Sequence, residues 1–135
     1  PLTEWRVVAL QAIDLMIQAG TIDTGVLPEV LLALDAGLND YTITERGDVG
    51  SLVRTKAIRC VRRMWETGQL PLEPASEQLL QGHIIRLSLE KMDRVRVQAA
   101  KCLSYISGLE RSVQYFRMFP LTSPANNSTV LPTWM

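Results

Sequence analysis

One pattern of basic, apolar and small residues occurs three times along this chain, and it restricts the fold more than any other feature. Each copy has an arginine, an alanine three positions later and another small residue three positions after that. The arginines Arg6, Arg54 and Arg96 are 48 and then 42 residues apart, close to the period of about 40–47 residues of two-helix solenoid repeats. The chain is therefore predicted to be an all-α solenoid built from antiparallel helix pairs.

Apolar residues at three-and-four spacing predict a helix around each copy of the pattern, and strand alternation is nearly absent. The predicted buried faces run through Trp5–Met16, Val53–Met64 and Val95–Ile106. Leucine-rich segments at Val26–Leu38 and Ser76–Leu89 predict two further helices. Three polar residues are predicted to cap the repeated helices because their side chains can accept first-turn amides, and these are Thr3, Ser51 and Asp93. Glycines and prolines separate the segments, and Gly108 is expected to end the last one.

The second and third copies resemble HEAT repeats, whose second helix opens with an Asp, a Val-Arg pair and a following Ala. The corresponding residues are Asp48, Val53-Arg54 and Ala57, and then Asp93, Val95-Arg96 and Ala99. In that family the arginine bonds to the Asp of a neighbouring repeat. The resemblance therefore implies that Arg54 and Arg96 are structural.

The expected organisation has four parts. Residues 1–20 form the second helix of a truncated repeat, residues 21–68 a repeat with a long inter-helix loop at 39–50, and residues 69–109 another repeat. Residues 110–135 are expected to form a short helix and a flexible tail rich in Pro, Ser and Asn. The chain starts at Pro1 without an initiator Met, which suggests a fragment of a longer protein.

The loop 39–50 is longer than the connections usual between paired helices, and two interpretations of it stay open. Tyr41 and Arg46 are of the residue types that often dominate recognition surfaces, so the loop, with Asp48, is a candidate partner-binding segment. Alternatively the loop packs over the edge of the repeat, with Asp48 bonding to neighbouring backbone.

The third helix carries a basic stripe formed by Lys56, Arg59 and Arg63, opposite its predicted buried face. The stripe is either a solvated outer face or a contact for an acidic protein partner. Charge along the chain is unevenly divided, with eight acidic and two basic residues through Val53, against six acidic and twelve basic residues after it. Nucleic acid is disfavoured as a partner because the chain as a whole has a net charge of zero.

Nothing in the sequence points to catalysis, and no cofactor or metal site is expected. A nucleophile motif, a phosphate-binding glycine loop and a paired-carboxylate arrangement cannot be found. The cysteines Cys60 and Cys102 occupy equivalent inward positions and are expected to be core residues, and the single histidine, His83, is expected to be a structural or a surface residue. No apolar run approaches the roughly 18 residues needed to span a membrane.

Two segments sharpen the resemblance to a family. Asp40-Tyr41-Thr42, followed by Arg46-Gly47-Asp48-Val49-Gly50 and Val53-Arg54, resembles the signature of the tubulin-folding cofactor D family in its carboxy-terminal region. Glu90 to Arg96, leading into Ala99, resembles the next repeat of that family. The stronger similarity covers about residues 38–57 and 88–103.

The resemblance implies a cytosolic chaperone of the microtubule cytoskeleton that captures β-tubulin. Such a protein works with cofactors C and E to assemble or dismantle the αβ-tubulin heterodimer, GTP hydrolysis takes place on tubulin, and an Arf-like small GTPase regulates the machinery. Because tubulin is acidic, we hypothesise that the basic stripe contacts it. The resemblance does not itself extend to the stripe.

Two other functions remain open from the sequence. A generic solenoid scaffold that docks a small GTPase or another cofactor would share every feature except the loop signature. The acidic and basic halves could also drive self-association, and exposed solenoid ends could produce a dimer of the fragment.

Overall fold

A computed structural model describes the backbone of residues 2–68 and 70–118, and the side chains of those residues up to 105. Five helices follow one another, with the bounds α1 (Leu2–Ala19), α2 (Leu27–Leu38), α3 (Gly50–Thr67), α4 (Pro74–Leu87) and α5 (Asp93–Met118). A single 3-10 turn, Thr24–Val26, leads into α2. The helical fold class is confirmed.

Helix α3 lies at the centre of the fold. It packs against α1 and α2 on one side and against α5 on the other, while α4 packs against α5. On the first side, the Cys60 thiol donates to the carbonyl oxygen of Leu10 at 3.1 Å. On the second side, the Tyr105 hydroxyl donates to the carbonyl oxygen of Trp65 at 2.9 Å. This arrangement is the layered stacking of a solenoid, in which each layer buries its neighbour.

The apolar positions predicted for α3 and α5 form the core. Val53, Val61, Val95 and Ala99 are at most 1% exposed, and the two cysteines are fully buried, which confirms their expected role. Ala57 is also fully buried, and a side chain at Gly37 would come within 3.0 Å of its Cβ. A small residue is therefore required where α2 crosses α3.

Most of the predicted buried face of α1 is wrong, although Ile13 is partly buried against the core. Trp5 is 75% exposed and Val8 60% exposed, and Ala9 and Ala12 are also exposed. The helix packs instead through Thr3, Leu10 and Ile17, which lie on another side of the helix. The equivalent positions of α3, Val53 and Ala57, are buried, whereas the described residues leave this side of α1 exposed.

The capping predictions also need correction. Thr3 lies inside α1, and the residue that caps α3 is Val49, which has no capping side chain. Ser51 lies in the first turn, where its amide donates to Asp48 Oδ1 at 3.1 Å. The carboxylate of Asp48 therefore takes the role expected of Ser51, because it reaches a first-turn amide from outside the helix.

Of the predicted boundaries, that at Gly68 holds and that at Gly108 is wrong. Gly68 ends α3 in a left-handed conformation with φ of 60°, and Pro74 opens α4. Helix α5 runs on through Gly108 to Met118. One helix therefore crosses from the third predicted part of the chain into the fourth, residues 110–135. The part of the expected flexible tail that follows residue 118 lies outside the described residues.

The loop between α2 and α3 contains a small β-hairpin that the sequence did not predict. Strands β1 (Ile43–Thr44) and β2 (Gly47–Asp48) pair antiparallel, with Thr44 opposite Gly47. Gly47 has φ of 100°, a conformation that favours glycine at the turn. The hairpin brings Asp48 back beside the start of α3.

Candidate functional site

Arg54 is the centre of a buried polar cluster that joins the hairpin loop to the α4–α5 connection. Its side chain is 1% exposed, and its Nη2 donates to Asp48 Oδ2 at 2.8 Å and to Glu90 Oε2 at 3.1 Å. Its Nη1 donates to the carbonyl oxygen of Asp40 at 2.7 Å. A buried cation needs such compensation, because charge removed from water is costly unless it is paired and hydrogen-bonded.

Tyr41 closes this cluster from the solvent side. The Arg54 guanidinium lies 4.2 Å from the centre of the Tyr41 ring, and the tyrosine hydroxyl donates to Glu90 Oε1 at 2.6 Å. Arg86 donates to the same hydroxyl and, at 2.9 Å, to Asn39 Oδ1. Desolvation, followed by the hydrogen bond to Glu90, raises the pKa of Tyr41. Tyr41 therefore contributes to the fold while keeping half of its surface exposed.

Asp48 is held by the same cluster. The hydrogen bonds from Arg54 lower the pKa of this carboxyl group, and the Ser51 amide adds to the effect. The cluster confirms the structural role expected of Arg54, and it includes the bond from Asp48 to neighbouring backbone that the packing interpretation of the loop required. Recognition by the loop surface remains a prediction.

A similar contact links the first layer to the second. Arg6 Nε lies 2.8 Å from Asp40 Oδ2, and Arg6 Nη2 donates to Thr42 Oγ1 at 3.1 Å. The Arg6–Thr42 and Arg54–Glu90 contacts both span 36 residues. Arg6 and Arg54 thus each reach the loop of the following layer, although only the arginines, and not their partners, were identifiable from the sequence.

Arg96, the third arginine of the pattern, bonds within its own layer. Its Nη1 donates to the carbonyl oxygens of Glu90 at 3.2 Å and Lys91 at 3.1 Å, and its Nη2 donates to Asp93. These bonds hold the α4–α5 connection that carries Glu90 toward Arg54. Arg96 is structural, as expected, without reaching a neighbouring layer among the described residues.

Four of the six predicted binding residues line one surface groove, which we call the α1–α3 groove. These four are Arg46, Asp48, Lys56 and Arg59. The groove has a volume of about 750 Å³ and lies between the N-terminal halves of α1 and α3, and Met92 and Arg94 also line it. Arg46 is mostly exposed and lies 3.3 Å from Glu4 Oε1. Sequence reasoning missed Met92 and Arg94, because nothing local to them indicates that they face α3.

The other two predicted residues lie outside the groove. Tyr41 lines an adjacent cleft with Arg54 and Glu90. Arg63, the end of the basic stripe, points toward α1, where its Nε donates to Asp14 Oδ1 at 3.0 Å. That hydrogen bond raises the pKa of Arg63. The stripe is therefore divided between two groove residues and one that ties α3 to α1.

The two cysteines and the single histidine have structural roles in the fold. Burial raises the pKa of Cys60 and of Cys102 to about 12, so both thiols stay protonated at neutral pH. His83 Nε2 lies 2.7 Å from Asp35 Oδ1. This contact joins α4 to α2 and gives His83 a structural role, which is one of the two roles expected of it. Within residues 2–68 and 70–105, no group of three His, Cys, Asp or Glu side chains is arranged to hold a metal ion. None of the described helices is both long and apolar enough to cross a membrane.

Stacked helices, joined across layers by Arg6 and Arg54, place the chain in the class of all-α, solenoid-like helical-repeat proteins. A narrower similarity comes from the sequence: residues 77–123, less than half of the chain, match the family model described as tubulin folding cofactor D C terminal. This match supports the family resemblance found in the sequence over the second of its two segments, residues 88–103. No curated protein and no solved structure matches the chain.

The matched residues cover most of α4 and all of α5. They include Glu90 and Arg96, which belong to the second segment of the sequence signature. The hairpin loop and the residues of α3 that line the groove lie before the match.

Proposed function

We propose that this chain forms part of a tubulin-specific chaperone that captures β-tubulin and helps to assemble or dismantle αβ-tubulin heterodimers with cofactors C and E. The observation that carries the proposal is the match of residues 77–123 to the tubulin folding cofactor D family. The role is binding rather than catalysis, and it belongs to the cytoplasm and the microtubule cytoskeleton. An Arf-like small GTPase is the proposed regulator.

The chain supplies a client-facing surface in this proposal. Lys56 and Arg59 project from α3 into the groove, and no described carboxylate forms an ion pair with either side chain. Tubulin is acidic, so unpaired cations on a preformed helix favour its approach. Arg46, Asp48 and Tyr41 border this surface. Arg63 supports it indirectly, because its hydrogen bond to Asp14 joins α3 to α1.

The test is direct binding of αβ-tubulin, measured by interferometry at low and at moderate salt. The charge-reversal variant Lys56→Glu/Arg59→Glu is expected to weaken binding at least about tenfold, and raising the salt should weaken binding by the wild-type chain. Arg63 is left intact, because reversing it would break the ion pair with Asp14 and alter the packing of α1.

A matched control reverses the same number of charges elsewhere. Arg62 lies on α3 beside Glu66, and Lys101 is exposed on α5. The Arg62→Glu/Lys101→Glu variant should bind tubulin about as well as wild type. Equal loss in both variants would mean that only net charge matters and would refute the assigned surface. Binding of an Arf-like GTPase without any tubulin binding would favour the generic scaffold instead.

A further inference from the structure

The α1–α3 groove combines an apolar floor with cationic walls. Its floor is formed by four side chains, two of them well exposed, namely Val7, Val8, Leu52 and Met92. Leu52 is 44% exposed and Val8 60% exposed, although both lie on helices that bury other apolar residues nearby. Its volume of about 750 Å³ is within the range of about 300–1,000 Å³ that is usual for ligand-binding clefts.

The charges around this floor are predominantly positive. Arg46, Lys56, Arg59 and Arg94 line the groove, against the carboxylates of Glu4 and Asp48. Asp48 is engaged by Arg54 at 2.8 Å, and Glu4 lies 3.3 Å from Arg46. Arg94 is exposed and, like Lys56 and Arg59, forms no ion pair with a described carboxylate. The surplus cations therefore favour an anionic occupant.

We propose that the α1–α3 groove binds an acidic polypeptide segment of the partner protein, with one or two apolar side chains seated on Val8 and Leu52 and carboxylates paired with Lys56, Arg59 and Arg94. This inference deepens the proposed function and rests on it for the identity of the partner. Apolar contact supplies the anchor, and charge complementarity fixes the register of the segment.

A polypeptide fits the groove better than a nucleic acid does. None of the described residues lining it is aromatic, so no stacking platform for bases is present. A phosphate backbone would also leave Leu52 and Val8 without apolar partners. An acidic segment with leucine or a similar residue satisfies both the floor and the walls.

The experiment measures fluorescence anisotropy of a labelled synthetic peptide in which two leucines are flanked by glutamates. Two control peptides replace the leucines by serine or the glutamates by glutamine. The first peptide is expected to bind the full chain, with affinity that falls as salt rises, and each control peptide is expected to bind at least about tenfold more weakly.

Variants then locate the peptide. Leu52→Gln/Arg94→Glu changes the floor and one wall without touching Lys56 or Arg59, and it should weaken peptide binding at least about tenfold. Lys101→Glu alone, on the exposed side of α5, should leave it unchanged. Circular dichroism and urea unfolding confirm that each variant is folded, and Leu52→Ser offers a milder change of the floor if the double variant is unstable.

The outcomes separate the two proposals. Peptide binding that ignores the leucines, the glutamates or the groove variants would overturn the groove assignment. So would tubulin binding by the chain without any peptide binding, which leaves the proposed function intact. Peptide binding lost in the groove variant, in a chain that fails to bind tubulin, would support the groove and overturn tubulin as its client.

Discussion

Arg54 concentrates three kinds of interaction in one side chain. It pairs with the carboxylates of Asp48 and Glu90, donates to the backbone of Asp40, and lies against the ring of Tyr41. Because these partners come from the hairpin loop and from the α4–α5 connection, the side chain couples two layers. The cost of removing it is therefore larger than the value of a surface ion pair, since two carboxylates would lose their shared cation.

We expect Arg54→Met to lower the free energy of unfolding by about 3 kcal/mol. This value is at the lower end of the range for breaking a buried ion pair by removing one partner. Urea unfolding followed by circular dichroism measures the change. The control is Arg62→Met, which removes an arginine that is 45% exposed and paired with Glu66 on the same helix, and it should cost no more than about 1 kcal/mol. Similar losses in both variants would refute the structural role of the cluster.

The lowered pKa of Asp48 predicts a dependence of stability on pH. A carboxyl group with a lower pKa in the folded state contributes stability above its unfolded pKa and loses it as pH falls through the folded value. Unfolding free energies measured between neutral pH and about pH 3 should therefore fall less steeply for Asp48→Asn than for wild type. Parallel curves for the two proteins would mean that Asp48 does not contribute to acid unfolding.

At the scale of elements, the helices were predictable because each carries apolar residues at helical spacing over several turns. The hairpin was not, since two-residue strands leave no periodic signal. The break expected at Gly108 does not occur, because glycine inside a helix costs only about 1 kcal/mol relative to alanine and the rest of α5 can offset it.

The hairpin loop crosses the start of α3 at Gly50, where there is no room for a side chain. A Cβ placed there would lie 2.4 Å from the carbonyl oxygen of Asp40 and 2.6 Å from the amide nitrogen of Thr42. Both atoms are backbone, so relief requires movement of the loop itself. The amide of Gly50 also donates to the carbonyl oxygen of Thr42 at 2.9 Å, which holds the two segments together.

Gly50→Ala is expected to lower the unfolding free energy by about 2 kcal/mol, within the range for overpacking a tight contact. Gly82→Ala is the matched control, because no atom outside its own helical backbone lies within 4 Å of a Cβ added there. That change should raise stability by up to about 1 kcal/mol through helix propensity. Thermal or urea unfolding of both variants decides the point, and a stabilised Gly50→Ala would show that the loop can move away.

At the scale of the whole molecule, part of the opposition between the acidic and basic halves is satisfied internally. Asp14 pairs with Arg63, and Asp48 pairs with Arg54. These contacts use acidic groups that the self-association hypothesis needs.

The groove and the ion pairs could not be derived from the sequence, because they depend on which residues of distant segments the stacking brings together. Arg6 and Arg54 each contact a residue 36 positions further along the chain, but the sequence alone does not single out that separation.

The exposed face of α1 yields the last prediction, because the repeat places identical residues in different surroundings. Met16 and Met64 occupy equivalent positions in the pattern, yet Met16 is 40% exposed and Met64 only 3% exposed. Met64→Ala removes a packed side chain and should lower the unfolding free energy by about 2–4 kcal/mol, whereas Met16→Ala should cost about 0.5 kcal/mol. Urea unfolding of both variants at several protein concentrations measures the difference. A large, concentration-dependent cost for Met16→Ala would contradict the exposure of this face, because it would mean that another copy of the chain covers α1 in solution.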